Sequence, residues 1–455
     1  MQGRYPLGNT LLTYRSKAQP LAAMLLMAVI LVLGVVGVMS PWHYNILPAV
    51  PLLELAVLGV SALVFPPKSR SAWLFMLAAG GYLVVTLAIA QLMSGSHILD
   101  YVQAYKAFFY VLLLCSFIAR PLFKQVQVVK FFYVLLGLFF LKYAYSRLIG
   151  LDAWVSQRPG IFTENNFELV LLILLLYLVL PVMRWRFVSI VAVMLIIFLS
   201  GSRSAFLCFL AVYVFSVFRV GKGFIKPWLL LFPLLVLLAY GIVNDRMDIT
   251  LGSGADTAGE NSSMPAIEEG RSLSMEEGRS PATTLDSDRE VIEQPLTFRS
   301  FLERGASIDR VRFLLYFLDE VEGWQWWNVM LGTQPLTPLS TQTCEALSYW
   351  SDLYSFSGDG TCYSVILHSY IIRVLYDHGV LGLIFLVAFT VFALRKSGYS
   401  WADTLCVLGV LMASSLSVSA FNSVFAMLSM MFYLSYGIGE QGSASSAEAS
   451  GDKTA

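Results

Sequence analysis

"FVSIVAVMLIIFLSGSRSAFLCFLAVYVFSVF" occupies residues 187–218, and Arg203 carries its only charge. The segments before and after "SGSRS" hold no Gly or Pro and no polar face. Such runs read as helices that are apolar all round, buried either in a large core or in lipid. Composition decides for lipid. The chain has 455 residues, is 57% hydrophobic and is only 13% charged, against roughly a quarter charged in soluble domains. Comparable apolar runs recur from Leu21 to Tyr436. The fold class expected is therefore all-α, a polytopic membrane helix bundle.

Apolar segments lie at 21–39, 46–65, 72–93, 106–119, 131–149, 167–183, 187–200, 204–218, 228–243, 366–394, 402–417 and 420–436, about twelve spans. The first follows Arg4, Arg15 and Lys17, and "SPWHYN" after it is no small-residue cleavage site. It reads as a membrane helix rather than a signal peptide. With a cytoplasmic N-terminus and every span crossing, sixteen Lys and Arg fall in inside segments. The short outside segments hold only Arg158 and Arg203, with Lys106 at a boundary. That asymmetry fits the positive-inside rule and puts both termini in the cytoplasm. The chain then divides into a cytoplasmic segment (1–20), nine spans (21–243), one large extracytoplasmic loop between spans nine and ten (244–365), three spans (366–436) and a disordered cytoplasmic tail (437–455).

Residues 250–297 of the loop are rich in Ser, Gly, Glu and Asp, with "EEGRS" occurring twice, and read as a flexible acidic tract. Residues 298–365 read as partly helical. Val311, Leu314, Leu315, Leu318 and Val321 have helical spacing, and Trp324, Trp326 and Trp327 suit a helix at the membrane interface. Cys344 and Cys362 share this loop and can pair in an oxidising compartment. Cys115, Cys208 and Cys406 sit in apolar runs as packing residues. No spacing suggests a metal site.

Ionisable residues in lipid are expensive and tend to face cavities. The run 187–200 makes roughly 21 Å of helix, against a hydrocarbon core of about 30 Å. Two such helices would meet below the outer surface and aim Arg203 into an outward cavity. The alternative is longer helices from which Arg203 snorkels to the headgroups. A second polar cluster, Arg158 with Glu164, Asn165 and Asn166, reads either as a loop with an Asn cap or as a wall contacting sugars or phosphate. A third, His368 and Arg373 with Asp377 and His378, marks the re-entry of the loop into the membrane. Gly379 and Gly382 there suit close helix packing. Arg310 and Arg312 sit on the loop helix. Lys142 and Arg147 read as snorkelling anchors, and Glu54 has no evident partner. Guanidinium groups favour phosphate, and a histidine beside them could take a proton from a hydroxyl. Together they suggest group transfer from a phosphate-activated, membrane-borne donor, with anion transport as the rival.

The order "RPGIFTENNFELVLLILL", "FLSGSRSAFLCFL", "DRVRFLLYFLD…WNVMLGTQP" and "HSYIIRVLYDHGVLGLIFL" (158–386) resembles the O-antigen ligase and Wzy-type polymerase superfamily. The resemblance implies a GT-C-like glycosyltransferase using an undecaprenyl-diphosphate-linked glycan donor and a glycan acceptor, without metal or other cofactor. Partners would be membrane lipid and a chain-length regulator or other assembly protein, with no nucleic acid. It implies that Arg203 and Arg310 or Arg312 hold the donor diphosphate and that His368 activates the acceptor, with Arg158, Arg373, Asn165 and Asn166 in contact with substrate. The family's Asn shortly after the His is absent, since Tyr370 and Ile371 stand there. That favours polymerase over ligase.

Overall fold

The hairpin read from residues 187–218 is present, as helices Arg186–Ser200 and Arg203–Val220. Gly201 ends the first with φ 60° and ψ 21°, the left-handed C-terminal geometry that glycine adopts without strain. Ser202 caps the second by accepting the Ala205 N–H at 3.3 Å. The first helix has 15 residues, about 22 Å, so the turn does lie short of a full span.

The computed structural model describes residues 7–40, 45–148, 159–163, 167–220, 309–348, 354–417 and 421–436. The helices are α1 (Leu7–Met39), α2 (Ala49–Val64), α3 (Arg70–Ile89), α4 (Ile98–Cys115), α5 (Gln125–Leu148), α6 (Glu168–Val179), α7 (Arg186–Ser200), α8 (Arg203–Val220), α9 (Asp309–Glu320), α10 (Trp326–Leu331), α11 (Thr341–Ala346), α12 (Tyr370–Lys396), α13 (Trp401–Ser417) and α14 (Val424–Ser435). Eleven of the twelve apolar segments coincide with these helices; the ninth, 228–243, lies outside the described residues. Among the described residues, five helices are long and apolar enough to cross a membrane, and six shorter apolar helices accompany them. The protein is a helical membrane bundle. The acidic tract 250–297 and the tail 437–455 lie outside the described residues.

Every residue of α6 and α14 is buried. Each is surrounded by protein, whereas α7, equally free of a polar face, leaves Phe187, Val188 and Phe198 exposed. The Tyr433 hydroxyl donates to the Leu174 carbonyl at 2.8 Å across the contact between α6 and α14. Around them, α1, α2, α3 and α5 keep exposed apolar faces such as Leu55, Leu77, Val84 and Leu141.

One end of the bundle is closed by hydrogen bonds between segments far apart in sequence. Leu122 N–H donates to the Ser435 carbonyl at 2.9 Å, and Ala119 N–H to Ser397 Oγ at 3.1 Å. Arg219 pairs with Asp403 at 3.1 Å. At the other end the loop packs as a small core of its own, with Phe313, Leu347, Ile366 and Tyr376 buried together. A disulfide joins Cys344 and Cys362 there, their Cα atoms 5.8 Å apart. Closing a loop of 18 residues in this way is worth about 3 kcal/mol.

Two expectations need correction. Lys142 is no snorkelling anchor: it is fully buried, and its ammonium donates to the Ser40 carbonyl at 2.8 Å, beyond the end of α1. A helix end leaves orphan carbonyls in need of donors, and a lysine on the neighbouring helix supplies one. Trp324 also separates from its neighbours. It packs on Tyr376 and Phe317, while Trp326 and Trp327 are exposed.

Candidate functional site

At the end opposite the closed one, a cavity of about 700 Å³ opens between five segments. They are the α1–α2 link with the start of α2, the first half of α4, residues 162, 163 and 167, residues 365–373 and residues 422–425. The wall is apolar along Ile46, Pro51, Phe162 and Phe425, and the polar groups that face it include Lys106, His368 and Arg373.

His368 stands two residues ahead of α12. Its backbone N–H donates to the Ile366 carbonyl at 3.0 Å, closing a γ-turn at Leu367 (φ −77°, ψ 71°) just after the short helical turn Ser364–Ile366. Phe313 of α9 packs against that ring with centroids 5.4 Å apart. Arg373 lies in the first turn of α12 and is 4% exposed, with its guanidinium carbon 5.7 Å from the Tyr370 ring centre. His368 belongs to the turn that leads into α12 and Arg373 to the helix itself, and both line the same cavity.

Lys106 explains Glu54. The Glu54 carboxylate pairs with the Lys106 ammonium and accepts the Tyr110 hydroxyl at 2.7 Å. An ammonium has three donors, so this pair orients the cation and leaves it able to meet an anion in the cavity. Two asparagines fix the rim. Asn45 donates to the Leu33 carbonyl at 2.6 Å, and Asn422 donates to the Gln103 carbonyl at 3.2 Å.

Glu168 holds the remaining wall. It is fully buried, and its carboxylate accepts the N–H groups of Ile161 (2.8 Å) and Phe162 (2.7 Å). A carboxylate among backbone donors at a helix start forms strong charge-assisted bonds. Gly37 of α1 touches the same loop: a Cβ there would stand 1.9 Å from the Ile161 carbonyl oxygen.

Of the residues singled out in the sequence, His368 and Arg373 are brought together here. Arg203 is exposed at the first position of α8 and does not belong to the described lining. Arg312 is half-buried on α9, beside the Phe313 that packs on His368, and is not in the described lining either. Arg158, Asn165 and Asn166, and the side chain of Arg310, lie outside the described residues. Thr163 and Phe167, which flank the asparagines in sequence, line the cavity.

Asp377 and His378 turn away from the described cavity. Asp377 accepts the Ser364 hydroxyl at 2.5 Å. His378 Nδ1 shares a hydrogen bond of 2.9 Å with the Tyr82 hydroxyl, and its ring packs on Tyr105 and Phe108. His378 thereby locks α12 against α3 and α4, and Asp377 ties α12 to the turn at residues 364–366. Lys106, Gln103, Asn45, Asn422 and Glu168 escaped the sequence reading as site residues. Lys106 and Glu54 did carry a signal, opposite charges on two apolar spans, the fourth and the second.

The arrangement supplies two cations of different geometry, a neighbouring imidazole and an apolar wall. It can bind an anion that carries a hydrophobic portion and can accept a proton beside it. Comparison with family models, with curated proteins and with solved structures returns no match to this chain.

Proposed function

We propose that the chain is an integral-membrane glycosyltransferase that polymerises undecaprenyl-diphosphate-linked oligosaccharide units for surface polysaccharide. The observation that carries this is the convergence of His368, Arg373 and Lys106 on one cavity with an apolar wall. In the reaction, the acceptor hydroxyl oxygen bonds to the donor's anomeric carbon as the carbon–oxygen bond to the diphosphate breaks, with inversion. His368 takes the hydroxyl proton. Arg373 and Lys106 hold the departing diphosphate, whose charge grows as the bond breaks. Arg203 is an exposed cation at the same end of the bundle and is the next candidate to contact the diphosphate.

Lys68, Arg120, Arg186, Arg219, Arg395 and Lys396 gather at the closed end. By the positive-inside rule that end faces the cytoplasm. The cavity then faces the periplasm of a bacterial inner membrane, in a GT-C-like bundle of about twelve spans with both termini inside. A chain-length regulator or other assembly protein would act from the same side.

The test uses the purified chain in lipid nanodiscs with a synthetic undecaprenyl-diphosphate oligosaccharide, products being resolved as a ladder on gels. A ladder that His368→Ala abolishes supports the polymerase. Transfer seen only when a lipid A–core acceptor is added converts the assignment to ligase. A second reading, transport of the anionic lipid-linked glycan, draws on the break in α12 at Gly379, where φ is 62° and ψ is −169°, since broken helices recur in transporters. Movement of a fluorescent donor across proteoliposomes without any new glycosidic bond would favour it and sink the enzyme.

A further inference from the structure

We infer that α10, "WWNVML" (326–331), is a foot of the extracytoplasmic loop sunk into the outer half of the bilayer, with phospholipid acyl chains as its partner. Trp326 is 73% exposed and Leu331 is 61% exposed, and Trp327, Val329 and Met330 are also exposed. None of these side chains is charged. An apolar surface of this kind, broken only by the half-buried Asn328, marks a membrane or partner surface.

Its depth follows from where the helix is fastened. Gly332 and Gly379 meet backbone to backbone. A Cβ on Gly379 would stand 2.4 Å from the Met330 carbonyl carbon, and one on Gly332 would stand 2.5 Å from His378 N. Thr333 N–H donates to the Tyr376 carbonyl at 2.8 Å. The foot is therefore fixed at the level of residues 376–379. Gly379 is nine residues into α12, about 13 Å along the helix. His378 bonds Tyr82, which lies eleven residues, about 16 Å, before Met93, where the apolar span carrying α3 ends. The contact of His378 with Tyr105 and Phe108 gives a third measure, about 10–15 Å from the start of α4. All three place the attachment well inside the helix ends.

The surfaces at that level are lipid-facing in character. Leu381 and Ile384 on α12 are exposed just beyond the attachment, and Val84 and Val85 on α3, with Leu92 and Met93 at the end of the same apolar span, are exposed too. Apolar surface thus extends on both sides of the foot, which continues it. Backbone groups in lipid need internal partners. Here Gly332 N–H donates to the Asn328 carbonyl at 2.7 Å and Asn328 N–H to Gln325 at 2.9 Å. The two glycines have a clear purpose: they let the loop backbone approach α12 closely enough to put a six-residue helix at that depth.

The test is photolabelling of the full chain in nanodiscs made with phospholipid bearing a diazirine midway along one acyl chain, with adducts mapped by mass spectrometry. Adducts on residues 326–331 at a level similar to Leu381 and Ile384, and none on Asp359 and Gly360 of the same loop, are expected. Adducts on α12 with none on 326–331 would overturn the inference. So would chain-to-chain crosslinks from a photoreactive side chain at position 329, because they would make a second copy the partner. A spin label at Val329→Cys adds a readout independent of photochemistry: collisions with oxygen should exceed those with a water-soluble nickel chelate, and the reverse order would also overturn it. None of these outcomes depends on glycosyl transfer.

Discussion

The two ends of the bundle use positive charge differently. At the closed end, Arg120 donates to the Val64 and Pro66 carbonyls, Arg186 to Pro181 and Met183, Arg219 to Tyr177, and Arg395 to Tyr399. Each guanidinium meets carbonyls at or just past a helix terminus, where orphan acceptors and the negative end of the dipole lie. Two also stack on rings, Arg219 on Tyr177 at 4.5 Å and Arg395 on Trp401 at 4.7 Å. The crowding has an electrostatic trace: partial burial and then the nearby Arg120 hold the Lys68 ammonium below its usual pKa. At the other end, Lys106, His368 and Arg373 face a common volume. Charge that caps helices stabilises the fold, whereas charge aimed into a cavity is available to a ligand.

That contrast can be broken most directly at His368. Replacing it with Ala should slow glycan transfer about 10²–10⁴-fold in the nanodisc assay, with little change in melting temperature because the side chain is half-buried at the cavity. An unaffected rate would remove the proposed base. Arg373→Met should lower the rate about 10²–10³-fold, the scale for losing one transition-state donor, and should weaken donor binding in the same preparation. Arg120→Met at the closed end should do the reverse. Loss of its charged hydrogen bonds should destabilise the bundle by about 1.5–3 kcal/mol in a thermal-shift measurement, with the rate per folded molecule unchanged. If Arg120→Met lowered that rate as much as Arg373→Met, the division between the ends would fail.

The cavity wall offers finer tests. Gly37→Val would push into the Ile161 carbonyl; overpacking of this kind costs roughly 1–3 kcal/mol, and α1 should shift off the 159–163 loop with a measurable loss of donor affinity. Glu54→Gln should act least, because it keeps the shape and an acceptor for Tyr110 while removing the carboxylate that orients Lys106. A donor affinity lowered several-fold and a steeper loss with added salt are expected, since the lysine would then rely on screened contacts. An identical salt response to wild type would show that the pair does not position the lysine.

Much of the helical layout was legible in the sequence. Segments with no polar face must be helical and shielded from water, so apolar runs located eleven helices. The short hairpin at 187–218 followed from its length and from the Gly-Ser turn. Less could be read of the site. His368 and Arg373 were visible because charge at the re-entry of a loop is costly unless used. Asn45 and Asn422 gave no signal, because a loop asparagine looks the same whether it caps a rim or faces water. Lys142 was misread for a related reason. A lysine near a span end can snorkel or cap a neighbouring helix, and only the position of the Ser40 carbonyl distinguishes these.

The sequence by itself determined that the chain is a helical membrane protein, where its helices run and which charges stand out of place, because burial in lipid constrains every residue of a span. Tertiary structure decided which of those charges share a cavity. Arg203 and Lys106 look alike in a string of letters, each a lone cation beside apolar runs. Packing of α2 against α4 gives Lys106 a carboxylate and a cavity, whereas Arg203 stands exposed at the start of α8. Contacts between residues far apart in the chain depend on how the helices are arranged, and local pattern carries no record of that arrangement.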